Sequence, residues 1–509
     1  MISQLANLQY DLPMLITAAS ILLILRYLLV APFSPLYDVK GPTLARYTRL
    51  WEVYKNWQGQ LEHVTVALHK QYGSIVRLAP NRYSISDPKA IRTIYGTGSK
   101  FGKSDYYTPF GTPLDHKDVF SETSNEKHAL ERRKISNMYA MSSLVSYEPF
   151  VDKVNGDFMA ALADHAQHGR AFDLFTWMQF YAFDVIGEIT LGRSFGLLEA
   201  GHDKDGLLHA VHVGSISYGS SMGLIPEIHQ LYLWSQKVLP INSHWKVTQG
   251  VILREISARL QGVSTSDRKD FLAKCIELSK AGKMDQSTTN NVLGSNIGAG
   301  SDTTGISMCA IIYFLMKHPN CLQKLRDEIE TADRQGNISN PVAFQEAQRL
   351  PYLQATIKEA LRLHAAVGQI LSRVVPEGGA QIAGRHFPQG TVVGVNAWVI
   401  HNDESIWGKD VQEFRPERWL VDKERLSFLD QNYLAFGAGS RTCIGKNISL
   451  LEMTKLLPQL VQRFDFVPAG DSQWTTSSGW FVKQSIRVKV IDRERKTKMS
   501  GSPEIGHGA

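Results

Sequence analysis

Cysteine is scarce in this sequence, and its scarcity excludes several classes of protein. The 509 residues contain four cysteines, Cys275, Cys309, Cys321 and Cys443, and none of them forms a CxxC pair. This spacing argues against the common zinc sites and the dithiol redox motif. So few cysteines in so long a chain also argue against a disulfide framework, which is consistent with a body in a reducing compartment.

Concentrated charge of one sign is missing as well. Lys and Arg total 55 against 49 Asp and Glu, which gives a net charge of +6. Nucleic-acid-binding proteins usually carry a concentrated basic face, so we expect no nucleic-acid partner. No internal repeat or low-complexity tract stands out in the sequence, which argues against a repeat architecture.

A long hydrophobic run occurs at the N-terminus. Residues 12–33 contain a single charge, Arg26, and as a helix they would span about 33 Å, enough to cross the hydrocarbon layer of a bilayer. Lys40, Arg46 and Arg49 follow, which predicts an uncleaved anchor with the rest of the chain on the cytoplasmic side. Because a mid-span arginine costs about 2.5–3.5 kcal/mol, a buried core helix or a peripheral hairpin remains an alternative.

The remainder of the chain predicts a mainly α-helical body with smaller β-sheets, an α+β class. Residues 74–78 and 83–86 are typical of a hairpin, and Asp87 followed by Pro88 indicates a helix start. The pattern is mostly helical over 124–364, rich in β-type residues over 370–399, and again strand-like near 480–490. We expect an anchor over 1–35, one large body over 36–492 and a polar, disordered tail over 493–509.

Residues 436–445, FGAGSRTCIG, are the most informative stretch. Glycine allows a tight loop whose backbone N–H groups converge on one atom. A helical pattern follows from 446 to 456, so the dipole at its start favours a thiolate on Cys443. Thiolate is the iron ligand that promotes O–O cleavage in haem proteins. A buried structural cysteine beside a turn is the alternative, and this arrangement of ten residues disfavours it.

Residues 287–317 predict a single helix about 46 Å long that ends before Pro319. Its centre contains four glycines, each of which weakens a helix, so we expect a flat or bulky group to approach closely. These are Gly294, Gly298, Gly300 and Gly305. The hexapeptide AGSDTT, residues 299–304, lies among them. On sequence alone, Ser301 and Asp302 are equally compatible with an N-cap where two shorter helices meet.

Together these motifs resemble the cytochrome P-450 superfamily. Phe436, Gly439, Arg441, Cys443 and Gly445 match its haem-binding signature position for position, and the resemblance covers nearly the whole chain. It implies the cytochrome P-450 fold and haem b with Cys443 as the axial ligand to iron. It also implies that Arg441 contacts a haem propionate and that Phe436 shields the sulfur.

The resemblance assigns roles to two further motifs. AGSDTT is similar to the family's oxygen-activation motif, so Asp302 would feed protons and Thr303 would hold the bound oxygen and water. Glu359 and Arg362 lie three apart on a helix predicted over 351–364, and such a pair alone is often a surface ion pair worth about 0–1 kcal/mol. The segment FRPERW at 414–419 matches the family in order and spacing, so both residues would join Arg418 in a buried charged triad under the haem loop.

Three more residues match propionate-binding positions of the family. His128 and Arg132 are four apart on a basic helix that is also compatible with a solvated face, and Arg373 follows His364 by nine residues. Contacts from such residues to carboxylates would be charge-assisted.

A second set of basic residues concerns a partner protein. The candidates for docking an acidic reductase surface are Arg132, Arg133, Lys134 and Lys446.

Two narrower runs, at 73–81 and 120–128, resemble fungal members related to pisatin demethylase, and many fungal relatives act on terpenoids, polyketides or alkaloids. The resemblance implies a single-pass protein of the endoplasmic reticulum membrane with its catalytic domain in the cytosol. It would contact membrane lipid, take electrons from NADPH-cytochrome reductase and insert one oxygen atom from dioxygen into a lipophilic small molecule.

By family analogy the substrate pocket would be largely apolar. The predicted lining residues are Tyr106, Tyr107, Phe110, Leu293, Ile297, Ala299, Val367, Ile370, Trp480 and Phe481. Core packing alone would account for each of them, and together they do not distinguish a sesquiterpene from an aromatic polyketide.

Three alternatives accompany the monooxygenase prediction. The first is detoxification of a phytoalexin or xenobiotic by the same chemistry. The second is a reductase-independent haem isomerase or dehydratase, and the third is a non-enzymatic membrane haem binder. The pair Asp302 and Thr303 argues against the last two, because relatives that skip oxygen activation usually lose it.

Overall fold

The computed structural model describes residues 33–111, 117–238, 245–262 and 269–494. Residues 1–32 of the predicted anchor therefore lie outside the described residues, as does the predicted tail beyond 494. Within the described ranges, the structure contains no helix that is long and apolar enough to cross a membrane.

Helices form most of the described body. The α-helices are α1 (Leu50–Trp57), α2 (Leu61–Tyr72), α3 (Pro88–Tyr95), α4 (Asn125–Ile135), α5 (Met141–Leu144), α6 (Glu148–Gln167), α7 (Leu174–Leu191), α8 (Leu197–Ala200), α9 (Leu207–Val211), α10 (Tyr218–Met222), α11 (Pro226–Val238), α12 (Trp245–Leu260), α13 (Phe271–Lys280), α14 (Gln286–Lys317), α15 (Pro319–Arg334), α16 (Phe344–Ala347), α17 (Pro351–Leu363), α18 (Ala397–His401), α19 (Glu404–Trp407), α20 (Lys423–Gln431) and α21 (Lys446–Arg463). A π-helical segment, His212–Ser217, continues α9.

The strands are short and form four sheets in the described part of the chain. They are β1 (Ile75–Ala79), β2 (Arg82–Ile85), β3 (Gly102–Lys103), β4 (Phe172–Asp173), β5 (Arg373–Val374), β6 (Ala380–Ile382), β7 (Arg385–Phe387), β8 (Val392–Gly394), β9 (Phe464–Pro468), β10 (Thr475–Ser478), β11 (Val482–Ser485) and β12 (Arg487–Asp492). The largest sheet has the order β1-β2-β8-β5-β3, and the others are β4-β12-β9, β6-β7 and β10-β11.

Two antiparallel neighbours, α7 and α14, form the centre of the helical side. Nearly every residue of α7 is buried, which is typical of a helix that lies inside the core. Gly305 of α14 lets the two backbones approach closely, since an added Cβ would lie 3.0 Å from the Cα of Gln179. The core therefore places the middle of α14 beside α7 on one side and leaves its other side for a cavity.

The predicted mainly helical α+β class is confirmed. The hairpin forms between β1 and β2 with Val76 opposite Ser84, and the Asp87 side chain accepts a hydrogen bond from the N–H of Lys89 as an N-cap. The alternative of two short helices meeting at Ser301 is wrong, because α14 runs unbroken and Ser301 Oγ bonds back to the carbonyl of Ile297.

Two boundaries differ from the expectations. Helix α21 continues past the predicted residue 456 and includes Pro458, and one face of it packs on buried helices of the core. The region 370–399 contains the short strands β5 to β8, but its last residues begin helix α18, which is capped by the side chain of Asn396.

Candidate active site

The cysteine loop is held by close packing on a neighbouring turn. Gly439 has φ +65°, and an added Cβ would overlap the carbonyl oxygen of Tyr95, so only glycine fits this position. The backbone N–H of Cys443 donates to the carbonyl of Phe436 at 2.9 Å, and Thr442 Oγ1 donates to the same oxygen at 3.1 Å. These bonds close the loop directly before α21 begins at Lys446.

Cys443 borders a cavity, and its exposed surface makes the sulfur accessible to a ligand bound there. Burial raises the pKa of Cys443, and the backbone N–H groups of Gly445 and Lys446 and the charge of Arg132 lower it only in part. The helix start alone therefore does not produce the thiolate. A bound metal ion would, because a coordinating thiol loses its proton to the metal.

The cavity, of about 750 Å³, lies between the cysteine loop and α14. Cys443, Phe436 and Gly445 border it on one side, and Ala299 and Thr303 border it on the other. A Cβ on Gly298 would meet no atom within 4 Å, so this glycine leaves room for a bulky group, whereas Gly300 and Gly305 lie against α7. Thr303 Oγ1 donates to the carbonyl of Ala299 at 2.9 Å and so keeps its lone pairs towards the cavity side.

Five basic side chains converge at one end of this cavity. They are Lys103, His128, Arg132, Arg373 and Arg441. Burial, together with the neighbouring positive charges, lowers the pKa of Arg441 to about 10 and that of His128 to about 3. Burial also holds the pKa of Lys103 well below its ordinary value, with Arg373 and Arg441 adding to the effect. Two acids, Asp118 and Glu122, partly offset these charges, and the five basic side chains outnumber them.

The residues present fit a haem. Its two carboxylates would neutralise the basic cluster, and Arg441 Nε is a buried donor that finds no acceptor among the described residues. The nucleophilic sulfur of Cys443 lies at the wall where an iron ligand is needed. Gly298 and Ala299 also line the cavity, and the open space at Gly298 leaves room there for a ring.

Asp302 lies on the face of α14 that turns away from the cavity. Its side chain is buried, and one carboxylate oxygen accepts a hydrogen bond from Gln179 Nε2. Lys483 Nζ lies 2.8 Å from the other oxygen, and His212 Nδ1 lies 3.9 Å from it. Burial alone would raise the pKa of Asp302, but the ammonium of Lys483, with a smaller effect from His212, outweighs it and holds this pKa below its ordinary value.

The structure brings the predicted triad together under the cysteine loop. Arg362 forms a two-pronged ion pair with Glu359 at 2.8 and 2.9 Å, and Arg418 Nε lies 3.2 Å from the same carboxylate. Trp419 Nε1 donates to Glu359 at 3.0 Å, and Arg362 also donates to the carbonyls of His401 and Val411. These side chains are buried, so the pair is not the surface contact that its spacing alone permits.

The predicted substrate pocket divides into two groups. Tyr107, Phe110, Ala299, Val367 and Trp480 border the cavity. The five that do not are Tyr106, Leu293, Ile297, Ile370 and Phe481.

Helical period explains two of these exceptions. Leu293 and Ile297 share a face of α14 that packs into the core, whereas Val292, Ala299 and Thr303 share the cavity face. Tyr106 packs behind Tyr107, with the ring centroids 5.5 Å apart. Ile370 packs against β1, and the backbone of Phe481 pairs with Val367 while its side chain is buried.

Several site residues were missed by the sequence analysis. Lys103, Gln369 and Ile186 border the cavity, and His212 and Lys483 contact Asp302. Lys103 lies over the rings of Tyr107 and Phe120, a contact that its neighbours in the sequence do not indicate. His212 and Lys483 carry no local signal, since the contact joins residues far apart in the chain.

Comparison with known proteins agrees with this geometry. A cavity with a cysteine thiol on one wall and the open Gly298 position of a long helix on the other is compatible with the class of haem-thiolate proteins. The profile of the cytochrome P-450 family matches residues 41–491, and the chain belongs to this family.

Several fungal proteins are among the similar curated ones. A pisatin demethylase of Fusarium vanettenii is 40% identical over 469 residues, covering 91% of this chain and 90% of the relative. The cytochrome P-450 monooxygenase gsfF of Penicillium aethiopicum is 37% identical, with 90% of this chain and 94% of the relative covered. The monooxygenase pkfB of Emericella nidulans is 34% identical, with 91% and 93% covered. The chain is therefore an oxygen-incorporating oxidoreductase, which favours the predicted monooxygenase over the isomerase and the non-enzymatic binder.

Proposed function

We propose that this protein holds haem b through Cys443 and uses dioxygen and electrons from NADPH-cytochrome reductase to oxidise a lipophilic small molecule. The observation that carries the proposal is the shared cavity, which has the sulfur of Cys443 on one wall and Ala299 to Thr303 on the other. The buried triad of Glu359, Arg362 and Arg418 supports the loop from below.

The side chains divide the work between binding and proton transfer. Bound haem supplies the reductive activation of dioxygen. Lys103, His128, Arg132, Arg373 and Arg441 bind and orient the carboxylates at its edge. The hydroxyl of Thr303 orders water at the distal wall, and Asp302 donates the protons that pass to that water. The apolar walls exclude bulk water from the remaining volume.

The decisive experiment is the spectrum of the reduced, carbon-monoxide-bound protein in microsomes. A strongly red-shifted Soret band reports carbon monoxide opposite a thiolate. We expect the Cys443→Ala variant to lose this band, whereas the matched Cys321→Ala variant, which changes a half-buried cysteine outside the cavity, keeps it. A band typical of histidine ligation in the wild-type protein would overturn the proposal.

The pocket favours an aromatic or otherwise flat substrate. Trp480 contacts Tyr107, Phe110 and Phe120 with ring centroids 5.5 to 5.9 Å apart, and these rings form one wall of the cavity. Rings attract other rings in edge-to-face or offset stacks. Fungal secondary metabolites such as terpenoids, polyketides and alkaloids include lipophilic molecules with rings, which suit a cavity of about 750 Å³ with an aromatic wall.

Oxidative demethylation in a detoxification role is a second candidate, favoured by the similarity to proteins named pisatin demethylase. Hydroxylation of an aromatic methyl ether would give a hemiacetal that loses formaldehyde. Pisatin is therefore the first compound to test, with a spectral shift on binding and formaldehyde release as readouts. Binding and turnover of other lipophilic metabolites without formaldehyde release would favour the biosynthetic role.

We also propose that the body rests against the endoplasmic reticulum membrane beside its N-terminal anchor, residues 1–35. Helices α1 and α11 expose Leu50, Trp57, Leu231 and Trp234. Arg49 forms an ion pair with Glu227 at 3.0 Å, which places the starts of the two helices side by side. Exposed apolar side chains on adjoining helices favour contact with lipid.

Removal of residues 1–35 and replacement of Trp57 and Trp234 by serine test this placement separately. We expect the truncated protein to retain partial membrane binding and the combined variant to lose it. A truncated protein with both serines that still sediments with membranes would contradict the contribution of this surface. The location of a fluorescent fusion in cells tests whether the protein resides in the endoplasmic reticulum.

The reductase surface is proposed around Arg133, Lys134 and Lys446, which are exposed on α4 and α21. Arg132 borders the cavity instead, so we assign it to the haem carboxylates alone. Neutralising the three exposed residues should raise the reductase concentration needed for half-maximal turnover, more so at low salt. Unchanged NADPH-driven turnover would exclude this docking site.

A further inference from the structure

Four side chains from four separate elements meet behind the cavity. Gln179 on α7 and Lys483 on β11 each contact one carboxylate oxygen of Asp302 on α14. Lys483 Nζ also lies 2.8 Å from Nδ1 of His212, which belongs to the π-helical segment. Interruptions of this kind in a helix are often found at functional sites.

The network links Asp302 to solvent. Asp302 is buried and does not border the cavity, whereas the His212 side chain is 38% exposed. His212 Nδ1 is 3.9 Å from the Asp302 carboxylate, so a small rotation of the imidazole would bring the two into hydrogen-bonding distance.

The donors and acceptors define the resting state of the network. An ammonium group only donates, so Lys483 donates and His212 Nδ1 accepts, which leaves the imidazole neutral with its proton on Nε2. Ser217 Oγ lies 3.4 Å from Nε2. The ammonium of Lys483 holds Asp302 ionised and directed away from the cavity. A proton on His212 would set two cations, at His212 and Lys483, against the one carboxylate of Asp302.

We propose that His212 passes protons from solvent to Asp302, and that Lys483 is a positioning residue that holds the carboxylate away from the cavity until the transfer. This inference rests on the proposed role of Asp302 in proton delivery. In each cycle one proton enters the imidazole from solvent, leaves Nδ1 for a carboxylate oxygen of Asp302, and passes from that carboxyl to water at Thr303. Both groups then return to their starting charge.

The charged groups that face the network are few. Asp302 and Lys483 face His212, and Lys483 also lies over the ring of Phe175 on α7. The nearby Asp173 is engaged by the hydroxyls of Thr176 and Ser485. Gln179 is uncharged, so Asp302, Lys483 and His212 are the charged or titratable side chains described in this network.

The test compares His212→Gln with His209→Gln in the haem-loaded, full-length protein with its reductase. His209 is an exposed histidine three residues earlier and serves as the matched control. The measurements are the rate of NADPH oxidation from pH 6 to 8 and its solvent deuterium isotope effect, neither of which requires a known substrate. We expect His212→Gln to slow the reaction by about tenfold near pH 6, to flatten its pH profile and to increase the isotope effect.

A second measurement examines Lys483 without turnover. The pairing with Lys483 holds the pKa of Asp302 low, so its stabilising effect is present near neutral pH and is lost as pH falls through the acid range. We expect the difference in unfolding midpoint between wild type and Lys483→Met to shrink as pH is lowered. Lys489→Met, which changes an exposed lysine on β12, should show no such trend. An equal trend in both variants would overturn the role of Lys483.

The outcomes separate this inference from the function on which it rests. If Asp302→Asn alters the isotope effect and His212→Gln behaves like His209→Gln, the role of His212 is overturned while that of Asp302 stands. If Asp302→Asn also matches the control, the proposed role of Asp302 fails first. The carbon monoxide spectrum of every variant shows that the haem site has folded.

Discussion

Arg362 and Glu359 form a two-pronged ion pair at 2.8 and 2.9 Å, and neither side chain is reached by solvent. Their positions three residues apart on α17 give the pair its geometry, but its burial comes from the segment around Trp419 and from the carbonyls of α18 and its surroundings. The pair thus links α17 to residues 414–419, the segment that precedes the cysteine loop in the chain.

Removing one partner of this pair should be costly. We expect Arg362→Ala to lower the free energy of unfolding by about 3–5 kcal/mol, because Glu359 would remain as a buried, unpaired charge. The exposed pair of Lys134 and Glu131 provides the control, since Lys134→Ala should cost at most about 1 kcal/mol. Urea denaturation and haem content measure both, and equal losses in the two variants would contradict the supporting role of the triad.

Gly439 should tolerate no side chain. Gly439→Ala would place a Cβ on the carbonyl of Tyr95 and require the cysteine loop to move, so we expect loss of haem as well as stability. Gly470→Ala is the matched control, because that residue also has positive φ, +59°, but has open space around it. The control should show only backbone strain, of the order of 1 kcal/mol. Haem retention by Gly439→Ala at the level of the control would refute the steric argument.

Lys103 should have opposite effects with and without haem. Lys103→Met removes a buried charge that lies close to Arg373 and Arg441, so we expect the haem-free protein to unfold at a higher temperature. The haem-loaded variant should release haem about tenfold faster, since a charge-assisted contact worth about 1.5–3 kcal/mol is lost. Lys100→Met, at an exposed position three residues earlier, should change neither quantity. Transfer of haem to an excess of apomyoglobin measures the release rate.

Stability should fall in mild acid because of His401. The N–H of Leu434 donates a hydrogen bond to Nε2 of His401, and Nδ1 of His401 contacts the carbonyl of Arg362. Because Nε2 accepts this bond and therefore carries no proton, the fold holds the neutral imidazole. Burial, with the charge of Arg362, lowers the pKa of His401 to about 3. The unfolded chain binds this proton first, so stability falls as pH drops below about 6.5, by about 2 kcal/mol at pH 5.

The variant His401→Gln should remove this part of the pH dependence between pH 7 and 5. Its control is His202→Gln, since His202 is exposed, and the control should keep the wild-type dependence. Chemical denaturation at the two pH values compares them, and an unchanged slope in His401→Gln would show that other groups cause the acid sensitivity.

Local patterns in the sequence were sufficient for the parts of the site that lie close together in the chain. Residues 436–445 indicated the tight loop around Cys443, and the glycines of α14 indicated an open helix face. The i, i+3 spacing placed Glu359 and Arg362 on one side of α17. In each case the reason is geometric, since backbone conformation and helical period act over a few residues.

The choice between faces was decided by tertiary packing. Leu293 and Ala299 both looked suitable for the pocket, yet only Ala299 faces it, because α7 covers the other side of α14. The basic cluster depends on β3, α4, β5 and the cysteine loop meeting at one end of the cavity. Two of the three partners of Asp302 come from a π-helical segment about 90 residues earlier and a strand about 180 residues later. The sequence by itself determined the cysteine loop, the open helix and the reaction class. Only the packed structure decided which side chains surround them, because hydrophobic burial is non-directional and acts on all apolar residues alike.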